Sequence, residues 1–159
     1  MNKTTEWALY TDGACTNNGG PGTIGYAFTL SKKVNQDSWA PVTEGANSDI
    51  ADVASNNRAE LKAIIMGLKT LQSKVFYGDS ARIYSDSKWS IGAITGKNVD
   101  GGGSYNVTKN LDLVKEAKKL LLDIRDVASD VEFVWVRGHD SNEDNNRVDR
   151  LAYNICRNL

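Results

Sequence analysis

The sequence is poor in several residues and patterns that define common protein classes. It has one histidine, two cysteines and two prolines among 159 residues. Cys15 and Cys156 show neither CxxC nor another metal-binding spacing, so we expect free thiols in a reducing cytoplasm. No run of about 18 apolar residues is present, which argues against a membrane-spanning helix. The first residues, MNKTTEWALY, lack the apolar segment that a secretory signal needs.

The chain also lacks a large excess of charge of either sign. With 19 basic and 20 acidic residues its net charge is −1, so gross charge does not by itself indicate a polyanionic partner. If four of the acids bound metal ions, the remaining charge would be net positive, and the metal would attract phosphate further. At this point a protein with no polyanionic partner is still an open alternative.

The length, with 40% hydrophobic and 25% charged residues, predicts one globular domain spanning residues 1–159. Alternation and turn residues predict strands in EWALYTDGAC, TIGYAFTLSKK, SWAPVTEGANS, ARIYSD and VEFVWVRG. Pro41, near the start of the third of these strands, suggests an edge position or the beginning of a strand. Helical spacing predicts helices in SNNRAELKAIIMGLKTLQSK, SKWSIGAIT, LDLVKEAKKLLLDIRDVA and NRVDRLAYNICRN, the first capped by Ser55. The order βββαβααβα favours a mixed α/β domain with helices packed on a sheet.

Four acids lie at or near the ends of these elements. Asp12 is predicted to close the first strand, Glu60 lies early on the first long helix, Asp86 ends the fourth strand and Asp149 lies early on the last helix. Singly, each is an ordinary turn, cap or surface acid. Together they would repel one another unless cations neutralise them. Carboxylates suit Mg²⁺ or Mn²⁺, and two such ions about 4 Å apart can clamp a phosphoryl displacement; one histidine and two separated cysteines fit zinc poorly.

The motifs that hold these acids resemble those of one known family. TDGAC with TNNGGPGTIGYAF, SNNRAELKAI, IYSDSKW and VRGHDSNEDNNRVDRLA are similar, in order, to the motifs of type 1 ribonuclease H (ribonuclease HI-like). The similarity runs from about Tyr10 to Ala152. It implies the ribonuclease H-like fold, a mixed five-stranded sheet flanked by helices. It also implies an endonuclease that cuts the RNA strand of RNA–DNA hybrids and leaves 5′-phosphate and 3′-hydroxyl ends.

The resemblance assigns roles to the catalytic residues. By position in the motifs, Asp12, Glu60, Asp86 and Asp149 would hold two Mg²⁺ ions, with Mn²⁺ as a substitute. His139 matches the histidine of the family's GH loop and would help move protons or release product. An imidazole suits this role because its unperturbed pKa is near neutrality.

Substrate contacts follow from the same resemblance. Asn18, Asn56 and Asn57 match amide positions that touch the minor groove of the hybrid, where neutral amides can contact 2′-hydroxyls without demanding a base sequence. Ser55 matches a threonine that helps hold a DNA phosphate, and Trp89 matches an aromatic position near the substrate. The alternative, that the three asparagines are only turn and cap residues, stays open.

One region departs from the family pattern. Many members carry a basic, Trp-rich helix and loop after the fourth-strand acid, which grips the hybrid. Here that region has only Lys88, Lys97 and Lys109 and a glycine run, Gly101–Gly103. We therefore expect a compact form with a reduced or absent basic protrusion, whose binding is weaker and less steeply salt-dependent.

Three alternative functions stay open beside this prediction: another nuclease on the same fold, a non-catalytic hybrid-binding module, and a domain active only when joined to a polymerase. The complete set of acids argues against the binding module. We expect the RNA–DNA hybrid as partner, no membrane association, a monomer and a cytoplasmic location.

Overall fold

The computed structural model describes residues 3–101, 107–138 and 142–157, in which strands and helices follow the predicted order. The strands are β1 (Glu6–Cys15), β2 (Gly22–Asn35), β3 (Ser38–Ala51), β4 (Ser80–Ser85) and β5 (Asp130–Trp135). The helices are α1 (Asn56–Gln72), α2 (Lys88–Thr95), α3 (Leu111–Arg125) and α4 (Glu143–Arg157). His139 and residues 102–106, which include most of the predicted glycine run, lie outside the described residues.

The five strands form one mixed sheet in the order β3-β2-β1-β4-β5. β1, β2 and β3 pair antiparallel as successive hairpins, whereas β4 pairs parallel with both β1 and β5. The predicted fold class is therefore confirmed. Pro41 lies on the edge strand β3, as predicted, because a proline cannot donate a hydrogen bond to a neighbouring strand.

Helices cover both faces of the sheet. On one face the main core joins β1, β2 and β4 to α1 and α3, with Leu9, Ile64 and Ile83 completely buried. On the other face α4 packs Val148 and Ala152 against Ala27 of β2. Alternation along the strands separates these two sets of side chains, since neighbouring residues in a strand point to opposite faces. No helix among the described residues is long and apolar enough to cross a membrane.

Two element boundaries differ from the sequence-based prediction. α4 begins at Glu143 rather than at Asn146, because its first turn is polar and shows no apolar periodicity. Asp12 does not close β1: the strand continues to Cys15, and Asp12 lies in its interior opposite Ala27. The glycine that follows Asp12 remains in the strand and is paired with Tyr26, so it does not form a turn.

In the region where many family members carry a basic protrusion, the described residues form one short helix. α2 ends at Thr95 with Gly96 in the left-handed conformation (φ 75°) as its C-cap. The next helix begins at Leu111, and residues 96–101 and 107–110, the described part of the connection, are not helical. This agrees with the compact form that the sequence predicts.

Candidate active site

Three of the four predicted metal ligands converge at one edge of the sheet. Asp12, Glu60 and Asp86 each offer a carboxylate oxygen, and these oxygens all lie within 4.8 Å of one another. Asp12 is 2% exposed and Glu60 7% exposed, while Asp86 is partly buried. The structure thus brings together acids that are 26 to 74 residues apart in the sequence.

Parallel strand pairing places Asp12 beside Asp86. The β1–β4 ladder ends where Tyr10 pairs with Tyr84, whose rings stack with centroids 4.3 Å apart. Each acid follows its tyrosine by two residues, so both carboxylates point to the same side of the sheet just beyond the last pair. This lies at the carboxyl ends of two parallel strands, where α/β sheets place their sites.

A glycine lets α1 bring Glu60 to the same point. A Cβ atom on Gly13 would lie 2.4 Å from the carbonyl carbon of Ala59 and 2.5 Å from the backbone nitrogen of Glu60. Only a residue without a side chain permits this contact between β1 and α1. The Gly13 N–H also donates a 2.9 Å hydrogen bond to Oδ1 of Asp12. Gly13 therefore positions both buried acids.

Asp149 approaches the cluster from the opposite face of the sheet. α4 packs closely on β2: a Cβ atom on Gly25 would lie 2.5 Å from the carbonyl oxygen of Ala152. Asp149 is close enough to Asp12 to contribute to the raised pKa of Asp12. Among the described residues, however, the group of mutually close ligand oxygens contains three acids and does not include Asp149.

Burial and crowding disfavour ionisation of the central acids. The pKa of Asp12 is raised well above its ordinary value, first by burial and then by Glu60, Asp149 and Asp86. Burial also raises the pKa of Glu60, with further repulsion from Asp86 and Asp149. Within the described residues, Oδ2 of Asp12 and Oε2 of Glu60 are buried without a hydrogen-bond partner.

Those orphaned oxygens fit a divalent cation. A cluster of buried carboxylates is stable as anions only with a compensating charge. The donors are all hard oxygens, the ligands that Mg²⁺ and Mn²⁺ prefer. The three close ligand groups include no histidine or cysteine, and this agrees with the prediction that zinc fits the site poorly.

Contacts from β5 and the following residues support Asp86. The indole Nε1 of Trp135 donates a 3.1 Å hydrogen bond to the backbone oxygen of Asp86. A Cβ on Gly138 would lie 2.9 Å from Oδ2 of Asp86, so the chain passes the carboxylate closely. The sequence analysis did not single out Trp135. The feature that could have indicated it is an aromatic residue near the end of a predicted strand, and the structure shows that this strand pairs parallel with β4.

The predicted amide contacts line an open cleft beside the carboxylates. This amide cleft has a volume of about 840 Å³, and its walls include Asn18, Ser55, Asn56 and Asn57. The carboxylates do not line it; Glu60 lies one turn further along α1 from the asparagines. The structure therefore groups four of the five predicted substrate contacts next to the acids.

Within the amide cleft, side-chain oxygens are bound to protein groups. The backbone N–H of Asn56 donates to Oδ1 of Asn18 at 3.0 Å. The Cys15 thiol donates to Oδ1 of Asn56 at 3.2 Å. Ser55 caps α1 as predicted, accepting from the N–H of Arg58 at 3.1 Å. These bonds hold the Asn18 and Asn56 side chains by their carbonyl oxygens.

Trp89 lies apart from this group. It is half-buried on α2 and packs against the main core. That contact gives the ring a structural role, and its predicted substrate contact stays a prediction. The cleft also carries Lys62 and Lys109; Lys62 forms an ion pair with Asp49.

Comparison with known proteins agrees with this arrangement. The sequence model of the RNase H family matches residues 4–157. The chain belongs to the ribonuclease H family. Ribonuclease H of Trichodesmium erythraeum is 34% identical over 160 residues, covering 99% of this chain and 92% of that protein. RNase H1 of the halophilic archaeon Halobacterium salinarum NRC-1 is 26% identical with a TM-score of 0.65, covering 94% of this chain and 96% of that one.

A further solved ribonuclease H, LC11-RNase H1 in complex with an RNA/DNA hybrid, superposes with a TM-score of 0.60. It is 22% identical and covers 94% of this chain and 96% of its own, so the likeness describes the fold. Together with the family match and the relatives named ribonuclease H, these findings make the protein a ribonuclease H enzyme.

Proposed function

We propose that this ribonuclease H is an endonuclease that hydrolyses the RNA strand of RNA–DNA hybrids by two-metal-ion catalysis. The products are a 5′-phosphate and a 3′-hydroxyl. The observation that carries the proposal is the cluster of Asp12, Glu60 and Asp86, with two buried carboxylate oxygens that lack a partner among the described residues. Family membership supports the reaction class, and the hybrid bound to LC11-RNase H1 supports the substrate.

Asp12, Glu60, Asp86 and Asp149 would hold two Mg²⁺ ions, with Mn²⁺ as a substitute. When bound, the ions supply positive charge that favours ionisation of the attacking water and offsets negative charge on the leaving 3′-oxygen. The protein contributes the fixed geometry: β1 and β4 align two of the acids, and the contact at Gly13 holds the third. Asp149, which contributes to the raised pKa of Asp12, would complete the set from the α4 side.

His139 is proposed to carry protons or to assist product release. Its position in the chain supports this, because Gly138, the preceding residue, lies directly against Asp86. An imidazole can accept and return a proton at physiological pH, because its unperturbed pKa is near neutrality. Its side chain is outside the described residues, so the role rests on this neighbour and on the family resemblance.

Asn18, Ser55, Asn56 and Asn57 are proposed to bind the hybrid in the amide cleft. Their –NH₂ and hydroxyl groups would donate to 2′-hydroxyls, base edges and a phosphate, which requires no particular sequence. Trp89 is proposed to contact the substrate with the exposed part of its ring. We further propose that the chain acts as a single catalytic domain, as a monomer and in the cytoplasm.

The test uses one sequence in three duplexes. An end-labelled RNA–DNA hybrid, the matched RNA–RNA duplex and the matched DNA–DNA duplex are incubated with the protein in Mg²⁺ and in EDTA. We expect internal cuts only in the RNA of the hybrid and only in Mg²⁺. The Asp12→Asn variant, which we expect to keep the fold, is the control and should not cut.

Other outcomes separate the alternatives. Cutting of the DNA–DNA duplex would indicate a different nuclease on the same fold. Hybrid binding without cleavage by the wild type would indicate a binding module, or a domain that needs a partner, and adding a polymerase domain in trans would distinguish these two.

A further inference from the structure

One buried polar side chain on α4 has no role in the site described so far. Asn145 is 1% exposed, and within the described residues neither its Nδ2 nor its Oδ1 has a hydrogen-bond partner. An amide buried in this way is costly, because it has lost its bonds to water and gained none. Such a residue therefore calls for a compensating partner.

The helix pattern gives Asn145 a core position. The buried residues of α4 are Asn145, Val148, Ala152 and Cys156, which form one stripe facing the sheet. Val148 and Ala152 pack against Ala27 in that stripe. Packing alone would favour leucine or valine at the first position of the stripe. A polar residue at such a buried position is more often found at a functional site.

A proposed metal ligand, Asp149, lies next to Asn145 on α4, beside the buried stripe. Asp149 follows Asn145 by one helical turn, a spacing that puts two side chains on the same face about 5–6 Å apart at Cβ. Asp149 is in turn the acid that meets Asp12 from the α4 side. We place one water molecule between the Asn145 amide and the Asp149 carboxylate, because a buried amide with no protein partner is commonly satisfied by such a water.

We propose that Asn145 is a positioning residue for metal binding: its buried amide, through one bound water, holds the Asp149 carboxylate toward Asp12. This inference rests on the proposed function, because it assumes that Asp149 is a metal ligand. Residues that orient a ligand in this way typically change metal affinity by roughly 10- to 100-fold when they are replaced.

The experiment measures metal affinity and stability separately, without substrate. Mn²⁺ is titrated calorimetrically into the wild type, Asn145→Leu and Asn154→Leu, and the Tm of each is measured in EDTA. Leucine has the branched shape of asparagine but forms no hydrogen bond. Asn154 is an exposed asparagine on the same helix and serves as the matched control. We expect Asn145→Leu to lose at least about tenfold in Mn²⁺ affinity, with a Tm in EDTA equal to or above that of the wild type.

Two more variants test the same inference in case a leucine at position 145 does not pack well. Asn145→Ala avoids overfilling the site and should show the same loss of affinity. Asn145→Asp keeps an acceptor in the same place, so it should retain most of the Mn²⁺ affinity while lowering the Tm in EDTA through added repulsion. A side chain that serves only packing would not separate affinity from stability in this way.

The outcomes distinguish this inference from the proposed function. If the wild type binds Mn²⁺ and Asn145→Leu and Asn145→Ala bind it equally well, Asn145 has only a structural role and the inference is wrong. If the wild type itself binds no Mn²⁺, the proposed metal site fails instead.

Discussion

At the scale of single residues, the site places ionisable carboxyls in a buried environment that disfavours their charged form. Asp12 and Glu60 are almost fully buried and face each other across the contact at Gly13. Without a cation, burial and mutual repulsion raise the pKa of both carboxyls. The native fold therefore carries a local electrostatic cost that bound metal would relieve.

Replacing Asp12 with asparagine should stabilise the metal-free protein and abolish cleavage. A carboxyl whose pKa is raised by folding favours the folded state below its unfolded pKa of about 4. That contribution is lost as the pH rises toward the raised pKa. In EDTA, the Tm of Asp12→Asn should therefore exceed that of the wild type, by a margin that grows from pH 4 to pH 8. Thermal unfolding across this pH range measures it.

The control for this prediction is Asp37→Asn, which removes an exposed acid remote from the cluster. It should leave the Tm nearly unchanged at every pH. Adding Mg²⁺ should raise the Tm of the wild type and of Asp37→Asn, but that of Asp12→Asn much less. A Tm of Asp12→Asn below that of the wild type in EDTA at pH 8 would contradict this account of the cluster.

At the scale of elements, local signals in the sequence predicted the type and order of the strands and helices better than their boundaries. The Ser55 cap, the edge position of Pro41 and the order of strands and helices are confirmed. The start of α4 was wrong, because the acidic first turn, Glu143 and Asp144, resembles a polar loop. The place of Asp12 was also wrong: TDG resembles a turn, yet Gly13 is kept in the strand by its contact with α1.

A methyl group at Gly13 should disrupt the β1–α1 contact. It would lie 2.4 Å from the Ala59 backbone, so the helix would have to move away and carry Glu60 with it. We expect Gly13→Ala to lower the free energy of unfolding by about 1–3 kcal/mol and to reduce hybrid cleavage by more than the folded fraction explains. Urea unfolding and cleavage rates in Mg²⁺ measure the two effects.

Gly20→Ala is the matched control for this prediction. The three atoms nearest to a methyl group there all belong to the end of the Asn17 side chain. It should leave cleavage close to that of the wild type. If Gly13→Ala cleaved the hybrid at the wild-type rate, close approach of α1 would not be what positions Glu60.

At the scale of the whole molecule, stability and catalysis depend on opposite ends of the sheet. Asp79, 2% exposed, accepts from the backbone N–H groups of Thr5 (2.8 Å) and Phe76 (2.9 Å) and from Nε1 of Trp7 (3.0 Å). It immediately precedes β4, whereas Asp86 immediately follows it. At the rise of an extended strand, the two acids are roughly 20 Å apart.

Asp79→Asn should therefore destabilise the protein without impairing its chemistry. The new –NH₂ group cannot accept the bonds made to Oδ2 by Trp7 and Phe76, which should cost about 1–3 kcal/mol in the free energy of unfolding. The kcat and KM for hybrid cleavage, measured well below the Tm, should equal those of the wild type. A fall in kcat with unchanged stability would mean that the two ends are coupled.

The contacts that the sequence could not predict are those between distant residues. The motifs identified the acids, but the separate approach of Asp149 from α4 depends on which face of the sheet that helix covers. The bond from Trp135 to Asp86 joins residues 49 positions apart, and that from Trp7 to Asp79 spans 72. The Asn145 amide, which has no hydrogen-bond partner in the part of the chain that the structure describes, becomes buried only once α4 is packed on the sheet.

The carboxylate cluster is expected to direct water at a phosphate, and the chemical ends of the cleavage products reveal whether it does. Mass spectrometry of RNA fragments from a hybrid cut in Mg²⁺ shows which bond was broken and by which nucleophile. We predict 5′-phosphate and 3′-hydroxyl ends, formed by the wild type and not by Asp12→Asn. Fragments that end in 2′,3′-cyclic phosphate would contradict the account, because they would mean that the RNA's own 2′-hydroxyl, and not water, attacks.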